Sequence, residues 1–202
     1  MQLVCLDLEG VLVPEIWIEF SERTGIAELR RTTRDEPDYD KLMKGRLALL
    51  EQHQLGLPDI QKVIADMGPL PGAKEFLDAL RQDYQVIILS DTFYEFAMPL
   101  MKQLGMPTLF CHKLEANAQG FLVNYHLRMP NQKREAVKRF KEINFDVIAA
   151  GDSYNDTAML AEAHAGILFH APENVIREFP QFAVTNTYAE LRAAIDAAAE
   201  RI

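Results

Sequence analysis

Cysteine is nearly missing from this chain: its 202 residues include two, Cys5 and Cys111, too few for a disulfide framework and without neighbouring ligands that would make a metal site. Both stand in strand-like apolar stretches and read as buried thiols. Positive charge is short as well, since 21 Lys and Arg against 30 Asp and Glu give a formal net charge of -9. Nonspecific nucleic-acid binding needs clustered cations to neutralise phosphates, so this balance argues against it. Any anion the protein handles has to meet a local positive site. Long hydrophobic runs are also absent. The opening stretch Met1 to Val13 is apolar but broken by Asp7 and Glu9, with no Lys or Arg before it, which argues against a signal peptide or membrane span and for a cytoplasmic location. The five histidines, His53, His112, His126, His164 and His170, show no ligand spacing, and none is assigned to a site.

Hydrophobic residues make up 49% of the chain, enough for one sizeable core and a small accessory element. A first apolar strand ends at Leu6. Helical patterns follow over Glu15 to Thr24, Tyr39 to Gln54 and Pro58 to Met67, the last with Ile60, Val63, Ile64 and Met67 on one face. From Pro71-Gly72 helices and strands alternate. Helices over Ala73 to Arg81, Phe93 to Leu104, Lys133 to Glu142 and Thr157 to His164 lead to strands at Gln85 to Leu89, Thr108 to Cys111, Asp146 to Ala150 and Gly166 to Phe169. Such alternation implies right-handed crossovers and a doubly wound, Rossmann-like parallel sheet with helices on both faces, an α/β fold. Residues 1–13 and 71–202 then form the core and 14–70 a small helical cap inserted after the first strand. Leu114 to Arg128, with its Gln119-Gly120 turn, reads as a hairpin. Tyr188 to Ile202 is an alanine-rich amphipathic helix.

Three of these strands end in acidic or hydroxyl residues: Asp7-Leu8-Glu9-Gly10, Ser90-Asp91-Thr92 and Gly151-Asp152-Ser153-Tyr154-Asn155-Asp156. Taken alone, Asp7 and Glu9 are as well explained as ordinary turn carboxylates. Together the three termini gather Asp7, Glu9, Ser90, Asp91, Asp152, Asn155 and Asp156 along the edge where open α/β sheets bind ligands. Clustered anions raise one another's pKa unless a cation is present, and an oxygen-rich site suits Mg²⁺, which makes Asp7 and Asp152 candidate ligands. Lys133 adds a point charge for a phosphate, or else is a solvated lysine on the unfavourable end of its helix. Arg30, Arg31 and Arg34, followed by Asp35-Glu36, read as a solvated face.

In order and spacing, Asp7-Leu8-Glu9-Gly10-Val11-Leu12, Ser90-Asp91-Thr92, Lys133 and Gly151-Asp152-Ser153-x-x-Asp156 resemble the four motifs of the haloacid dehalogenase superfamily of phosphatases. The short helical insert and Gly45-Arg46-Leu47-Ala48-Leu49-Leu50 are similar to its phosphoserine phosphatase branch, nearest to the bifunctional members that also transfer phosphate to homoserine. The resemblance implies that Asp7 is the nucleophile and becomes an aspartyl phosphate. It implies that Glu9 is general acid and then base, and that Mg²⁺ is held by Asp7, the carbonyl of Glu9 and Asp152. Ser90, the amide of Asp91 and Lys133 would hold phosphoryl oxygens, with Asp156 orienting Lys133 or a metal-bound water. Glu15 and Arg46 would meet the ammonium and carboxylate of phosphoserine, and Asn155 resembles a position that contacts substrate. Without the resemblance, Arg46 reads as a surface helix residue.

The chain departs from the family in carrying Glu9 where Asp is usual. One more methylene lengthens the reach by about 1.5 Å, which favours the bifunctional members. Two rivals remain at this level. One is a phosphatase of another small phosphomonoester. The other is a phospho-acceptor receiver domain, which also uses an Asp, a metal and a lysine but needs no insert of more than fifty residues. A dinucleotide-binding module is weaker, because no G-x-G-x-x-G follows the first strand.

Overall fold

A computed structural model describes residues 1–32, 35–36 and 38–202. Arg34 of the basic run therefore lies outside the described residues. Arg30 and Arg31 are exposed, as expected of a solvated face.

The strand β1 (Gln2–Leu6) is the middle of the molecule. Its residues Val4, Cys5 and Leu6 are fully buried, because the strand is covered on both faces and flanked on both edges. It pairs in parallel with β2 (Gln85–Phe93) on one side and with β5 (Asp146–Gly151) on the other. Beyond β2 lie β3 (Thr108–Ala116) and β4 (Leu122–His126), and beyond β5 lie β6 (Ala165–Phe169) and β7 (Ala183–Thr185). The seven-stranded order is β4-β3-β2-β1-β5-β6-β7, parallel except for β4. Chain direction across the sheet reverses at β1, and ligand crevices of open α/β sheets form at such a switch point.

Alternate residues of β1 feed two apolar clusters: Val4 and Leu6 join one, Leu3 and Cys5 the other. The first cluster takes in α4 (Ala73–Asp83), α5 (Tyr94–Gln103) and α9 (Tyr188–Ala199). The second takes in α6 (Gln132–Glu142), α7 (Thr157–Glu162) and α8 (Glu173–Glu178). Helices thus cover both faces, as the alternating pattern required. Among the described residues no helix is long and apolar enough to cross a membrane.

Three details differ from the sequence reading. The strand at Thr108 and the first arm of the hairpin are one continuous β3, whose first half pairs in parallel with β2 and whose second half pairs antiparallel with β4. The six-residue α8 and three-residue β7 were not foreseen, because neither is long enough to display a period.

Between β1 and β2 run α1 (Ile16–Thr24), a 3₁₀ turn at Ala27–Arg30, α2 (Tyr39–Gln52) and α3 (Leu57–Ala65). Their buried residues Leu29, Met43, Leu47, Leu50, Ile60 and Ile64 belong to the same apolar cluster as α5. A polar contact reinforces the join. Pro99 lies inside α5, and having no N–H it cannot donate to the carbonyl four residues back. Gln61 of α3 supplies the missing donor, its Nε2 lying 2.8 Å from the Glu95 carbonyl. Gln61→Ala should therefore lower stability by about 1 kcal/mol, or roughly 2–4 °C in Tm for a chain of this size. The loss should shrink in Gln61→Ala/Pro99→Ala, where the helix regains its own donor; thermal melts of the four-member cycle measure this coupling.

Candidate active site

Register brings the site together. Leu6 pairs with Ile88 of β2 and Ala150 of β5, and the Asp7 amide donates to the Ala150 carbonyl at 2.9 Å. Asp7, the Leu89-Ser90 end of β2 and Gly151-Asp152 consequently leave the sheet at one level. The β2–β3 ladder is irregular between Leu89 and Phe93, and such irregularities redirect side chains at strand ends. Ser90 is buried, with its hydroxyl accepting the Thr92 amide at 3.2 Å.

Two glycines permit the close approaches. Gly10 has φ +76°, and any Cβ there would collide with the Asp152 carboxylate. A Cβ on Gly151 would collide with Asp156. The turn after Gly10 is held from behind by the Tyr188 hydroxyl, which donates to the Val11 carbonyl at 2.7 Å.

Lys133 is not a solvated lysine. It is buried, with Nζ 2.8 Å from Asp7 Oδ1, 2.8 Å from Asp156 Oδ1 and 3.9 Å from Asp91 Oδ2. Burial opposes its charge, but Asp156, Asp7 and Asp91 outweigh that and hold the ammonium well above the ordinary lysine range. Asp156 is fully buried and fully engaged: Oδ1 accepts from Lys133, and Oδ2 accepts from the amides of Asp152 and Ser153 at 3.0 and 3.1 Å. Asp7 Oδ1 also accepts its neighbour's Leu8 amide at 2.7 Å, which leaves Oδ2 without a hydrogen bond among the described residues.

Asp7, Asp152 and Asp156 each bring a carboxylate oxygen within 4.8 Å of the others. One lysine does not balance three such groups. Burial, then Asp156, pushes the Asp7 carboxyl well up against the opposing pull of Lys133, while burial, Asp156 and Glu15 push Asp152 to about 7. A surplus of hard oxygen donors with too little positive charge fits a divalent cation. Since both oxygens of Asp156 are taken, Asp7 and Asp152 are the carboxylates available to such an ion.

Glu9 points the other way. Its Oε2 accepts the Ile16 amide at 2.9 Å, so it joins the first turn of α1. Burial, then the nearby Glu15, raises its carboxyl to about 8, and the Ile16 and Thr92 hydrogen bonds oppose the rise. Glu15 itself is exposed. On the same side lies Arg46, which is buried rather than on the surface. Its Nη2 donates to the Arg31 carbonyl at 2.7 Å and its guanidinium lies 4.3 Å from the centre of the Trp17 ring. Among the described residues its Nε is a buried side-chain donor with no partner. Burial lowers the guanidinium to about 10 against the opposing influence of Tyr39, Glu9 and Glu15.

A cavity of about 550 Å³ opens over the Lys133 side, lined by Tyr39, Asp91, His112, Gln132, Lys133 and Asn155 among others. Asn155 is exposed there. The half-exposed Asp91 would be raised by burial, but His112, Lys133 and Gln132 bring its carboxyl down to about 2. Sequence reasoning had set His112 aside with the other histidines; it is buried, 3.6 Å from Asp91, with Nδ1 accepting the Arg128 amide at 3.0 Å. Gln132 was also missed. It is buried, donates to the Ser90 carbonyl and to Asp91 Oδ1, and accepts from Arg128 at 2.7 Å. Its place directly before Lys133 was the available signal for it, and the lone Trp17, two residues after Glu15, was the signal for the ring that Arg46 lies over.

Removing the cation from the carboxylate pair leaves buried charge without compensation, typically several kcal/mol. Lys133→Met should accordingly lose about 3 kcal/mol or more in urea denaturation with a chelator present, and a loss below about 1 kcal/mol would show that the ion pair is not structural.

The sequence profile of the haloacid dehalogenase-like hydrolase family matches residues 1–164. The chain is 65% identical over 192 residues to phosphoserine phosphatase ThrH of Pseudomonas aeruginosa, spanning 95% of this chain and 94% of that one. It is 62% identical over 192 residues to a phosphoserine phosphatase of Pseudomonas syringae pv. tomato, covering 95% and 81%. Its fold is similar to a solved phospho-aspartyl intermediate analogue of phosphoserine phosphatase, with a TM-score of 0.75 at 20% identity over 95% of this chain and 97% of that one. By strand order, motif spacing and these matches, the chain belongs to the haloacid dehalogenase-like hydrolases.

Proposed function

We propose that this protein is a Mg²⁺-dependent phosphoserine phosphatase that also transfers the phosphoryl group to homoserine. The observation that carries the substrate assignment is the buried Arg46 guanidinium, whose Nε has no partner among the described residues and which feels the charges of Glu9 and Glu15. A buried donor without a partner costs free energy unless something fills it, and Arg binds carboxylates in a planar fork. A carboxylate on Arg46 and an ammonium on Glu15 describe the amino-acid end of phosphoserine. The named phosphoserine phosphatases at 65% and 62% identity support the same reading.

The residues divide the reaction between them. Asp7, with Oδ1 fixed by Lys133 and the Leu8 amide, attacks phosphorus, and the bond from phosphorus to the serine oxygen breaks. Glu9, anchored to the Ile16 amide, gives its proton to that departing oxygen. Serine leaves, with the phosphoryl group on Asp7. An acceptor hydroxyl then attacks phosphorus, Glu9 takes its proton, and the Asp7 carboxylate is restored. Ser90, the Asp91 amide and Lys133 hold the phosphoryl oxygens, Asn155 contacts the substrate, and Asp156 keeps Lys133 in place. Asp7, Asp152 and the Glu9 carbonyl would hold Mg²⁺, which would offset charge on the transferring group. Residues 14–70 act as the cap that carries Arg46 and Glu15 over the core of 1–13 and 71–202.

Asp7→Asn should abolish phosphate release from phosphoserine in the presence of Mg²⁺. Arg46→Ala should raise KM for phosphoserine by about 10-fold or more, the scale of a charged hydrogen bond, while a nearly unchanged KM would favour another phosphomonoester. For the acceptor, incubation with phosphoserine and homoserine should yield phosphohomoserine besides free phosphate. Glu9→Asp should shift that partition toward water; an unchanged ratio would remove the side-chain length from the explanation.

A further inference from the structure

Tyr39 is the first residue of α2, entered through the Asp38 cap whose Oδ1 accepts the amides of Asp40 and Lys41 at 3.1 and 3.2 Å. It stands seven residues before Arg46, so the two share one face of the helix, two turns and about 10 Å apart. Its ring is fixed by an edge contact with Tyr125 of β4, centroids 5.8 Å apart at 81°. The hydroxyl of Tyr125 is already used, donating to Asp40 Oδ1 at 2.8 Å. The hydroxyl of Tyr39 has no hydrogen-bond partner among the described residues. It is not among the buried unpartnered atoms, so it is open to solvent and free to meet a ligand.

The surroundings indicate what such a ligand offers. Tyr39 lines the same cavity as Lys133, Asp91 and Asn155, the residues assigned above to the phosphoryl group and the substrate. The ring therefore borders the cavity that holds Lys133 while remaining within electrostatic reach of Arg46. Burial holds the hydroxyl in its neutral, proton-bearing form, with Asp91, Tyr125 and Glu9 adding to the effect and Arg46 opposing it. A neutral donor in a cavity whose lysine is already paired with carboxylates complements an anion, and a charged acceptor makes the stronger kind of hydrogen bond.

We propose that Tyr39 is a substrate-contacting residue whose hydroxyl donates a hydrogen bond to the phosphoryl group, so that α2 touches both ends of the substrate: phosphoryl through Tyr39, carboxylate through Arg46. This rests on the phosphatase reading above. Phosphate affinity tests it without depending on the identity of the ester. Inorganic phosphate binding to the wild type, Tyr39→Phe and Tyr125→Phe is measured by calorimetry with Mg²⁺ present, alongside melting curves and phosphoserine kinetics. Tyr39→Phe should weaken phosphate binding by about 10-fold or more at an unchanged Tm, with a matching fall in kcat/KM. Tyr125→Phe, which loses only the Asp40 contact, should stay within about twofold of the wild type in phosphate affinity. Phosphate affinity within about twofold of wild type in Tyr39→Phe would overturn the contact, as would an equal loss in both variants, which marks a merely structural ring pair. Failure of the wild type to hydrolyse phosphoserine would overturn the substrate assignment instead, and leaves the phosphate comparison able to decide the role of Tyr39.

Discussion

The buried ammonium of Lys133 is the constraint on which the rest of this structure depends. Taking one ammonium and two carboxylates out of water costs several kcal/mol per ion unless the geometry returns it, and here the return requires three separate elements to meet. Asp7 comes from the end of β1, Asp156 from the turn after β5, and Lys133 from the first turn of α6. Nothing local holds them together. Asp156 can come close only because Gly151 has no Cβ, and Asp152 only because Gly10 has none and tolerates a positive φ. The parallel register of β1 with β5, together with Gly151, is thus a requirement of one ion pair, and Gly10 is a requirement of the carboxylate beside it. Much the same arrangement leaves carboxylate oxygens on Asp7 and Asp152 in excess of the available positive charge. Such a surplus of acid at the sheet edge suits a divalent cation.

A second buried cation stands apart from the first and does a different job. Lys133 is saturated by acids and serves as a fixed charge in the sheet. Arg46 has one donor, Nε, without a partner among the described residues, lies over Trp17, and comes from the inserted helices. In a chain of formal charge -9, these are two buried positive centres, one paired with acids of the sheet edge and one carried by the insert. Glu9 belongs with the Arg46 side by its bond to the first turn of α1, so the longer acid is tied to the insert as well as to the strand that carries Asp7. An aspartate there would be about 1.5 Å shorter and could not make the same anchor without moving the chain.

Much of the architecture was legible because buried parallel strands announce themselves. β1, β2 and β5 read as unbroken apolar runs, since both faces of each are covered, and the helices between them are long enough to show a period. α8 and β7 escaped because six and three residues carry none. The double pairing of β3 escaped because a strand that changes partner halfway changes its pattern there too. Within the site, residues attached to a motif were legible and residues that only support one were not. Asp7, Asp152 and Lys133 stand in ordered spacing. Gln132, His112, Trp17 and Tyr39 are polar or aromatic positions whose partners Asp91, Phe93, Arg46 and Tyr125 lie far along the chain on other elements. Burial of Lys133 and Arg46 was the least legible property of all, because either residue on a helix is ordinarily at the surface, and only a tertiary arrangement can make burial affordable.

The union of insert and core bears on how substrate gets in. Leu47, Leu50, Ile60 and Ile64 of the insert share one apolar cluster with Phe96, Leu100 and Met101 of α5. Returning a buried aliphatic side chain to water costs about 1.5–3 kcal/mol, so exposing Ile60 and Ile64 alone would consume a large share of the 5–15 kcal/mol typical of a whole domain. Lifting the insert away as a body is therefore a poor route of entry. The hairpin is rooted in the same cluster through Leu114 and Leu122, whereas its Tyr125 to Asp40 hydrogen bond is exposed. Around the cavity mouth, Leu127, Met129 and Tyr154 are exposed and give up little on moving. Entry past these residues would leave the apolar cluster beneath α2 intact.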